Sequence, residues 1–323
     1  MKYTRKLKYN VIFNEADDDL LSPILLNFLP TFSRLESLTI TASRWDWNEL
    51  NPSLTSAFLS LMHLPTINHI DLLYIQNFPL SSLIQSVNLL RLDLQHVCRY
   101  FEEHPSPEIV MEMMPKIRRF YTLGSSRLTT KLLRAKMRDG RPAFNFMDLK
   151  RFSTYQGNLE DEQNIRYLLQ KANLLEKLEL SVGRGKNLVG LHSKNARTLK
   201  VLHLSGGGFH FLGGICEVLE ALVRDNVLEA FQFDVGIDSD GTMSKDFIGS
   251  IFQKVENVLL KPVWSVLRRV SFKLWISGWN QDYATKLFEP LQSLPDKYLS
   301  HLSNLESVTF KYQVYMQKCA KSP

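Results

Sequence analysis

Residues 67–80 read INHIDLLYIQNFPL, and 22 positions further on, at 89–102, the chain reads LLRLDLQHVCRYFE. Both stretches carry apolar residues at their first, fourth, sixth and ninth positions: Ile67, Ile70, Leu72 and Ile75, then Leu89, Leu92, Leu94 and Val97. Alternation through the middle of each stretch is the pattern of a strand with one covered face, and its recurrence is the mark of an internal repeat. Further copies of apolar-x-x-apolar-x-apolar begin at Leu35, Ile117, Leu149, Leu175, Leu199, Leu228, Leu267 and Leu305, ten in all, with threonine at the last apolar position in those at Ile117 and Leu149.

The starts are separated by 32, 22, 28, 32, 26, 24, 29, 39 and 38 residues. A leucine-rich repeat has a period of ~20–29, so the longer gaps predict insertions or longer helices. The intervening segments carry helical stripes: NPSLTSAFLSLMHLP with Asn51 or Ser53 as N-cap, EDEQNIRYLLQKAN with acidic residues in its first turn, SLTTKLLRAKMRDG, CEVLEALVRDN and SKDFIGSIFQKVENVL, and TKLFEPLQSLPDKYLSHL with proline interruptions. Strand and helix in alternation predict parallel strands. A doubly wound sheet would bury both faces and show continuous apolar strands. Here Ser37 and Thr39, His69 and Asp71, Arg91 and Asp93, Lys177 and Glu179, and Ser271 and Lys273 interrupt them. One face is therefore wet. The expected fold is α/β: an irregular leucine-rich-repeat solenoid, a horseshoe with parallel strands on the concave face and helices on the convex face, forming a single domain over 1–323 with 1–34 as N-terminal cap.

Nine positions into four consecutive copies stand Gly157, Gly183, Gly207 and Gly236, in a chain with only 15 glycines. Their recurrence predicts a tight corner after each strand, where a positive φ is needed.

The residues HLPTINHIDLLYIQNFPLSSLIQSVNLLRLDL, followed by MPKIRRF, NLLEKLEL, ARTLKVLHL and LPDKYLSHLSNLESV, resemble the leucine-rich-repeat portion of the F-box-like families of mushroom-forming fungi, over roughly 31–312. That resemblance implies a repeat array that captures a target protein for a ubiquitin ligase. The N-terminal F-box that docks such proteins on a Skp1-type adaptor has no recognisable counterpart in 1–34, so that partner is expected only if an F-box is supplied elsewhere.

Composition narrows the classes further. With 323 residues and 44% hydrophobic content, the chain can bury a substantial core. The excess of 39 Lys and Arg over 33 Asp and Glu suits an acidic partner but is too thin for a nucleic-acid binder. Cys98, Cys216 and Cys319 lie far apart without C-x-x-C, which predicts neither disulfides nor a zinc site and suits a reducing compartment. The chain shows no secretory leader pattern and no run near the ~18 apolar residues of a membrane span, so a soluble, cytoplasmic or nuclear protein without membrane contact is expected.

No motif for catalysis is present. SGGGFHFLGG at 205–214 and VGRGKNLVG at 182–190 lack the spacing of phosphate loops. DVGIDSDG at 234–241 puts Gly236 and Phe247 where the first and twelfth calcium ligands belong. The 8 histidines form no H-E-x-x-H pair, and no G-x-S-x-G elbow occurs. The cations of KLLRAKMRDGR lack interleaved aromatics, which argues for a solvated helix face over a nucleic-acid site. A non-catalytic protein-interaction module without cofactor or metal is the expectation; a free-standing scaffold, or an enzyme whose site is assembled from distant residues, are the alternatives.

In the strand pattern the third and fifth positions face the open side. The third positions run Ser37, His69, Arg91, Arg119, Arg151, Lys177, Val201, Ala230, Arg269 and Ser307, so four consecutive copies place a cation in one column. Parallel strands ~4.8 Å apart would stack these charges, which repel unless an anionic segment, acidic or phosphorylated, lies against them. Asp93 and Glu179, at fifth positions, could neutralise part of the column. The candidate ligand surface is Arg91, Arg119, Arg151 and Lys177 with His69, Asp71, Asp93, Tyr121, Tyr155 and Glu179.

Overall fold

The fold is given by a computed structural model that describes residues 4–11, 27–97, 113–188, 190–191, 193–223, 226–238, 244–277 and 281–316. Each repeat copy except the last opens a strand at its third residue. The strands are β1 (Lys6–Val11), β2 (Ser37–Asp46), β3 (His69–Gln76), β4 (Arg91–Gln95), β5 (Arg119–Leu123), β6 (Arg151–Gln156), β7 (Lys177–Val182), β8 (Val201–Gly207), β9 (Ala230–Asp238), β10 (Arg269–Ser277) and β11 (Thr309–Met316). They form one parallel, open sheet in which spatial order follows sequence order from β1 to β11. Strands that pair only with their sequence neighbours, with helices between them, are consistent with a solenoid-like repeat. The chain divides into two compact units, 1–152 and 153–323.

A recurring backbone contact fixes the register. At the entry to most strands one carbonyl of the preceding copy accepts two successive N–H groups: Glu36 and Ser37 on Arg5 O, Asn68 and His69 on Glu36 O, Leu90 and Arg91 on Asn68 O, Arg118 and Arg119 on Leu90 O, Lys150 and Arg151 on Arg118 O. The same pairs recur in the second unit at Lys200 and Val201 on Glu176 O, and at Arg268 and Arg269 on Glu229 O. Because side chains alternate along a strand, this common start puts the same repeat position of every copy on the same face.

In the nine copies from Leu35 to Leu267 the first, fourth and sixth positions are buried as the pattern predicts; Ile67, Ile70, Leu72 and Ile75 are all in the core. In the two copies with threonine at the sixth position, Thr122 and Thr154 are also buried, and Thr122 shares a 3.1 Å hydroxyl–hydroxyl contact with Thr129. In the second unit Phe231, Phe233 and Phe252 pack around Phe272 with ring centroids 5.3–6.2 Å apart.

The helices fall where the stripes predict. Pro52–Met62 starts with the Asn51 side chain accepting from Ser53 N–H, and Leu159–Lys171 with a capping box between Asn158 and Asp161. Ser126–Arg134, Phe209–Ala221, Lys245–Leu259 and Gln281–Gln292 follow. Each covers one apolar stripe and so completes a strand–helix coil that could not bury its face alone.

Three details differ from the sequence reading. First, an eleventh strand, β1, precedes the ten copies, with Lys6 opposite Ser37; its copy has Thr4 at the first position in place of an apolar residue. Second, the last copy is shifted by two residues: Thr309, not Ser307, stands opposite Arg269. Leu305 is accordingly 37% exposed and belongs to the turn before the strand.

Third, the four recurring glycines do not carry positive φ. Glycines in the left-handed region are Gly124, Gly140, Gly185 and Gly208, and three non-glycine residues join them: Tyr74, Asn77 and His96. Tyr74, His96 and Gly124 are the eighth residues of three consecutive copies in the first unit, so the left-handed corner lies there and one position earlier. Three of them, Gly157, Gly183 and Gly207, answer instead to close approach. A Cβ on Gly207 would stand 2.9 Å from the carbonyl oxygen of Gly236, on Gly157 it would run into the Tyr155 ring at 2.7 Å, and on Gly183 into the Tyr155 hydroxyl at 2.8 Å.

Candidate functional site

On the open face of the first unit, register brings the third positions Ser37, His69, Arg91 and Arg119 side by side, and the fifth positions Thr39, Asp71, Asp93 and Tyr121 beside them. Arg151 continues the first row, since its N–H meets Arg118 O as that of Arg119 meets Leu90 O. Three adjacent strands thereby link Ser37, His69 and Asp93, which lie far apart in sequence. Ser37 Oγ is 2.8 Å from His69 Nδ1, and His69 Nε2 is 3.2 Å from Asp93 Oδ2. Arg91 completes the chain, donating from Nε at 3.0 Å and from Nη2 at 2.6 Å to the same carboxylate oxygen.

These contacts shape the acidity of the site. Burial pulls the Asp93 carboxyl upward, but hydrogen bonds from His69 and Arg91 outweigh it and hold Asp93 below the usual carboxylate range. Asp71 goes the other way: burial first, and the neighbouring Asp93 charge second, push it up, and its buried Oδ1 has no hydrogen-bond partner among the described residues.

A serine, histidine and aspartate in a row invite a nucleophile reading, and the geometry weakens it. Ser37 is only 9% exposed, and its backbone N–H, the donor that would have to stabilise an oxyanion, is committed to Arg5 O. Asp93 is shared with the Arg91 guanidinium. The array fits best as a polar ladder that satisfies itself.

The predicted cation column divides. Arg91 is neutralised by Asp93, and in the second unit Lys177 Nζ sits 2.7 Å from Glu179 Oε1. Burial raises the Glu179 carboxyl less than hydrogen bonds from Lys177 and Ser153 lower it, so it too is held below its ordinary range. Arg119 and Arg151 are exposed, and the guanidinium of neither has an ion-pair or hydrogen-bond partner among the described residues. Tyr121, beside Arg119 on β5, is half-buried, and Tyr155 on β6 is exposed and lies over Gly157 and Gly183.

The second unit holds a further polar group. His203 Nε2 stands 3.2 Å from Asp234 Oδ2, Gln232 donates to both Asp234 oxygens at 3.2 Å, and Ser181 and Ser205 share a 2.6 Å contact. Sequence analysis passed over this group and over Trp275, which stacks on Tyr315 with centroids 4.3 Å apart and 15° between planes. Counting nine positions into the copy at Leu267 gives Trp275, so the count that found the glycines contained it. Tyr315 was hidden by the two-residue shift of the last copy.

The remaining motifs are structural or lie outside the described residues. SGGGFHFLGG is the passage from β8 into helix Phe209–Ala221, with Gly208 at φ 85° as its cap and Gly206 packed against the Phe211 ring. Cys216 is free and half-buried, its thiol pushed up mainly by burial; Cys98, Cys319, Asp240 and Gly241 lie outside the described residues. Among the described residues no group of three or more His, Cys, Asp or Glu is placed to hold a metal ion, and no helix is long and apolar enough to cross a membrane.

No family model matches the chain, and no curated protein matches it. Among solved structures it is similar to a protein from Bacteroides fragilis determined by the Northeast Structural Genomics Consortium, at 11% identity and a TM-score of 0.44, over 95% of this chain and 73% of that one.

Proposed function

We propose that the chain acts by binding another protein, without catalysis, through the polar face of its sheet, and that Arg119 and Arg151 anchor an acidic or phosphorylated segment of that partner. The observation that carries this reading is the pair of exposed guanidinium groups on β5 and β6 with no partner among the described residues, next to an arginine, Arg91, whose charge is already balanced. Two adjacent guanidinium groups offer a bidentate match to carboxylate or phosphate oxygens, and holding them together unpaired is repulsive. In this reading the sheet face is the concave side of an irregular leucine-rich-repeat horseshoe. The chain is then the target-recognition part of an F-box-like ubiquitin-ligase adaptor, as its resemblance implies.

The test is affinity capture from native extract with wild type and with the double reversal Arg119→Glu/Arg151→Glu. A partner retained by wild type and lost by the variant, at unchanged thermal stability, supports the reading; capture that survives the double reversal removes it. Co-purification with a Skp1-type adaptor separates the ligase role from that of a free-standing scaffold.

A further inference from the structure

We propose that the second unit carries a carbohydrate-binding slot, walled by Trp275, floored by Gly207 and Gly236, and edged by Ser205, Asp234 and Lys273, that takes one ring of a neutral glycan. Gly207, Gly236, Trp275 and Tyr315 stand in register on the consecutive strands β8, β9, β10 and β11. Trp275 is 40% exposed. Its separation of 4.3 Å from the Tyr315 ring is close to the ~4.8 Å between strands, so the two rings stack along the direction that runs across the sheet. One indole face is therefore covered by Tyr315, and the other looks over Gly236. A ring stacked on that free face sits one strand spacing away, directly above the glycine.

The need for glycine differs along this row. At Gly207 the neighbouring backbone forbids a side chain, with the Gly236 carbonyl 2.9 Å from a would-be Cβ. Among the described residues a Cβ at Gly236 would meet only the Gly206 carbonyl oxygen, at an ordinary 3.7 Å, and φ is not positive. Neither packing nor backbone conformation explains Gly236. A side chain there would cover the free face of Trp275, and a glycine inside a strand often marks such an approach by a ligand.

The polar edge selects the class. Ser205, Asp234 and Lys273 are in register, two residues before Gly207, Gly236 and Trp275, on the same face and roughly 6.6 Å away along the strands. That length matches a pyranose ring whose apolar C–H face lies on the indole and whose hydroxyls reach the edge. Burial raises the Asp234 carboxyl less than hydrogen bonds from His203 and Gln232 lower it, so it is ionised at neutral pH and repels a polyanion such as a nucleic-acid strand. Lys273, beside it, disfavours a cationic side chain. Adjacent acceptor and donor groups of opposite charge suit hydroxyls, each of which both donates and accepts.

The experiment is calorimetric titration of the full chain with maltohexaose, cellohexaose, xylohexaose, laminarihexaose, mannohexaose and chitohexaose in turn. The comparison proteins are Trp275→Ala and Gly236→Val, the second a strand-favouring residue whose Cβ the fold accommodates. Expected is binding of at least one glycan below about 10 mM, weakened about tenfold or more in both variants, with the Gly236→Val midpoint within a few degrees of wild type. Absence of binding by all six glycans at that level overturns the proposal, as does binding that survives Gly236→Val. Salt-dependent binding of a single-stranded oligonucleotide that Trp275→Ala abolishes would overturn it in favour of a nucleic-acid site.

Discussion

If Arg119 and Arg151 are held unpaired for a partner, the free protein bears a stability cost that a neutral substitution removes. Arg119→Gln keeps most of the side chain's reach and hydrogen bonding and deletes the charge. Two unit charges at 4 Å in water repel by about 1 kcal/mol. Scaled to heads between the ~4.8 Å strand spacing and a splayed ~7 Å, this is about 0.6–0.9 kcal/mol, and a Debye length of ~8 Å at physiological salt cuts it to about 0.2–0.5 kcal/mol. Both side chains are exposed, so the water dielectric is the right one. Since about 1 kcal/mol moves the midpoint of a 150–250-residue unit by about 2–4 °C, Arg119→Gln should raise the thermal midpoint by about 0.4–2 °C at physiological salt and by about 1–4 °C at low salt. Arg151→Gln should do the same. The double variant should gain less than the sum, because the first substitution already ends the repulsion between the pair. Scanning calorimetry at two ionic strengths reads all of this. A midpoint that falls by several degrees in either single variant, or a gain indifferent to salt, would mean that the arginines hold the fold together and are not reserved for a ligand.

Two further predictions rest on neighbouring features. Asp71 has a folded-state acidity pushed up by burial and by Asp93, so its ionisation opposes folding above that range and ceases to do so as pH falls through it. Asp71→Asn should therefore raise the thermal midpoint at pH 7, with the gain shrinking toward zero in acid; a constant gain across pH would show that charge is not the cause. Asp93, Glu179 and Asp234 carry the opposite sign, since their folded-state values are lowered, so wild-type stability should decline as pH drops below the ordinary carboxylate range of about 4. Gly207→Ala should cost about 1–3 kcal/mol, because its Cβ would stand 2.9 Å from the Gly236 carbonyl, whereas Gly236→Ala should cost well under that. Equal urea midpoints for the two variants would contradict the close-approach account of the row.

The architecture was legible because a solenoid-like repeat writes the same sentence many times. Ile67, Ile70 and Leu72 occupy the same buried positions as their counterparts in neighbouring copies, and the alternation between them allowed one wet face. The pattern failed at the two outermost strands of the sheet: Thr4 stands at the first position before β1, and Leu305, an apolar residue of the preceding turn, misled the register of β11. The glycine row was visible as a recurrence, but its cause was not, since sequence cannot separate a residue needed for its φ from one needed for its missing Cβ.

The cation column shows where sequence stopped and tertiary structure began. Arg91, Arg119, Arg151 and Lys177 share a repeat position, and that the chain itself determined. Which of them is balanced depends on whether a carboxylate on the same strand reaches the charge, as Asp93 and Glu179 do, and that is a matter of rotamer and distance. Likewise Ser37, His69 and Asp93 become one hydrogen-bonded row, and Trp275 faces Gly236, only because parallel pairing sets distant copies ~4.8 Å apart. Periodicity fixes which face a side chain occupies; pairing across strands decides what it meets there.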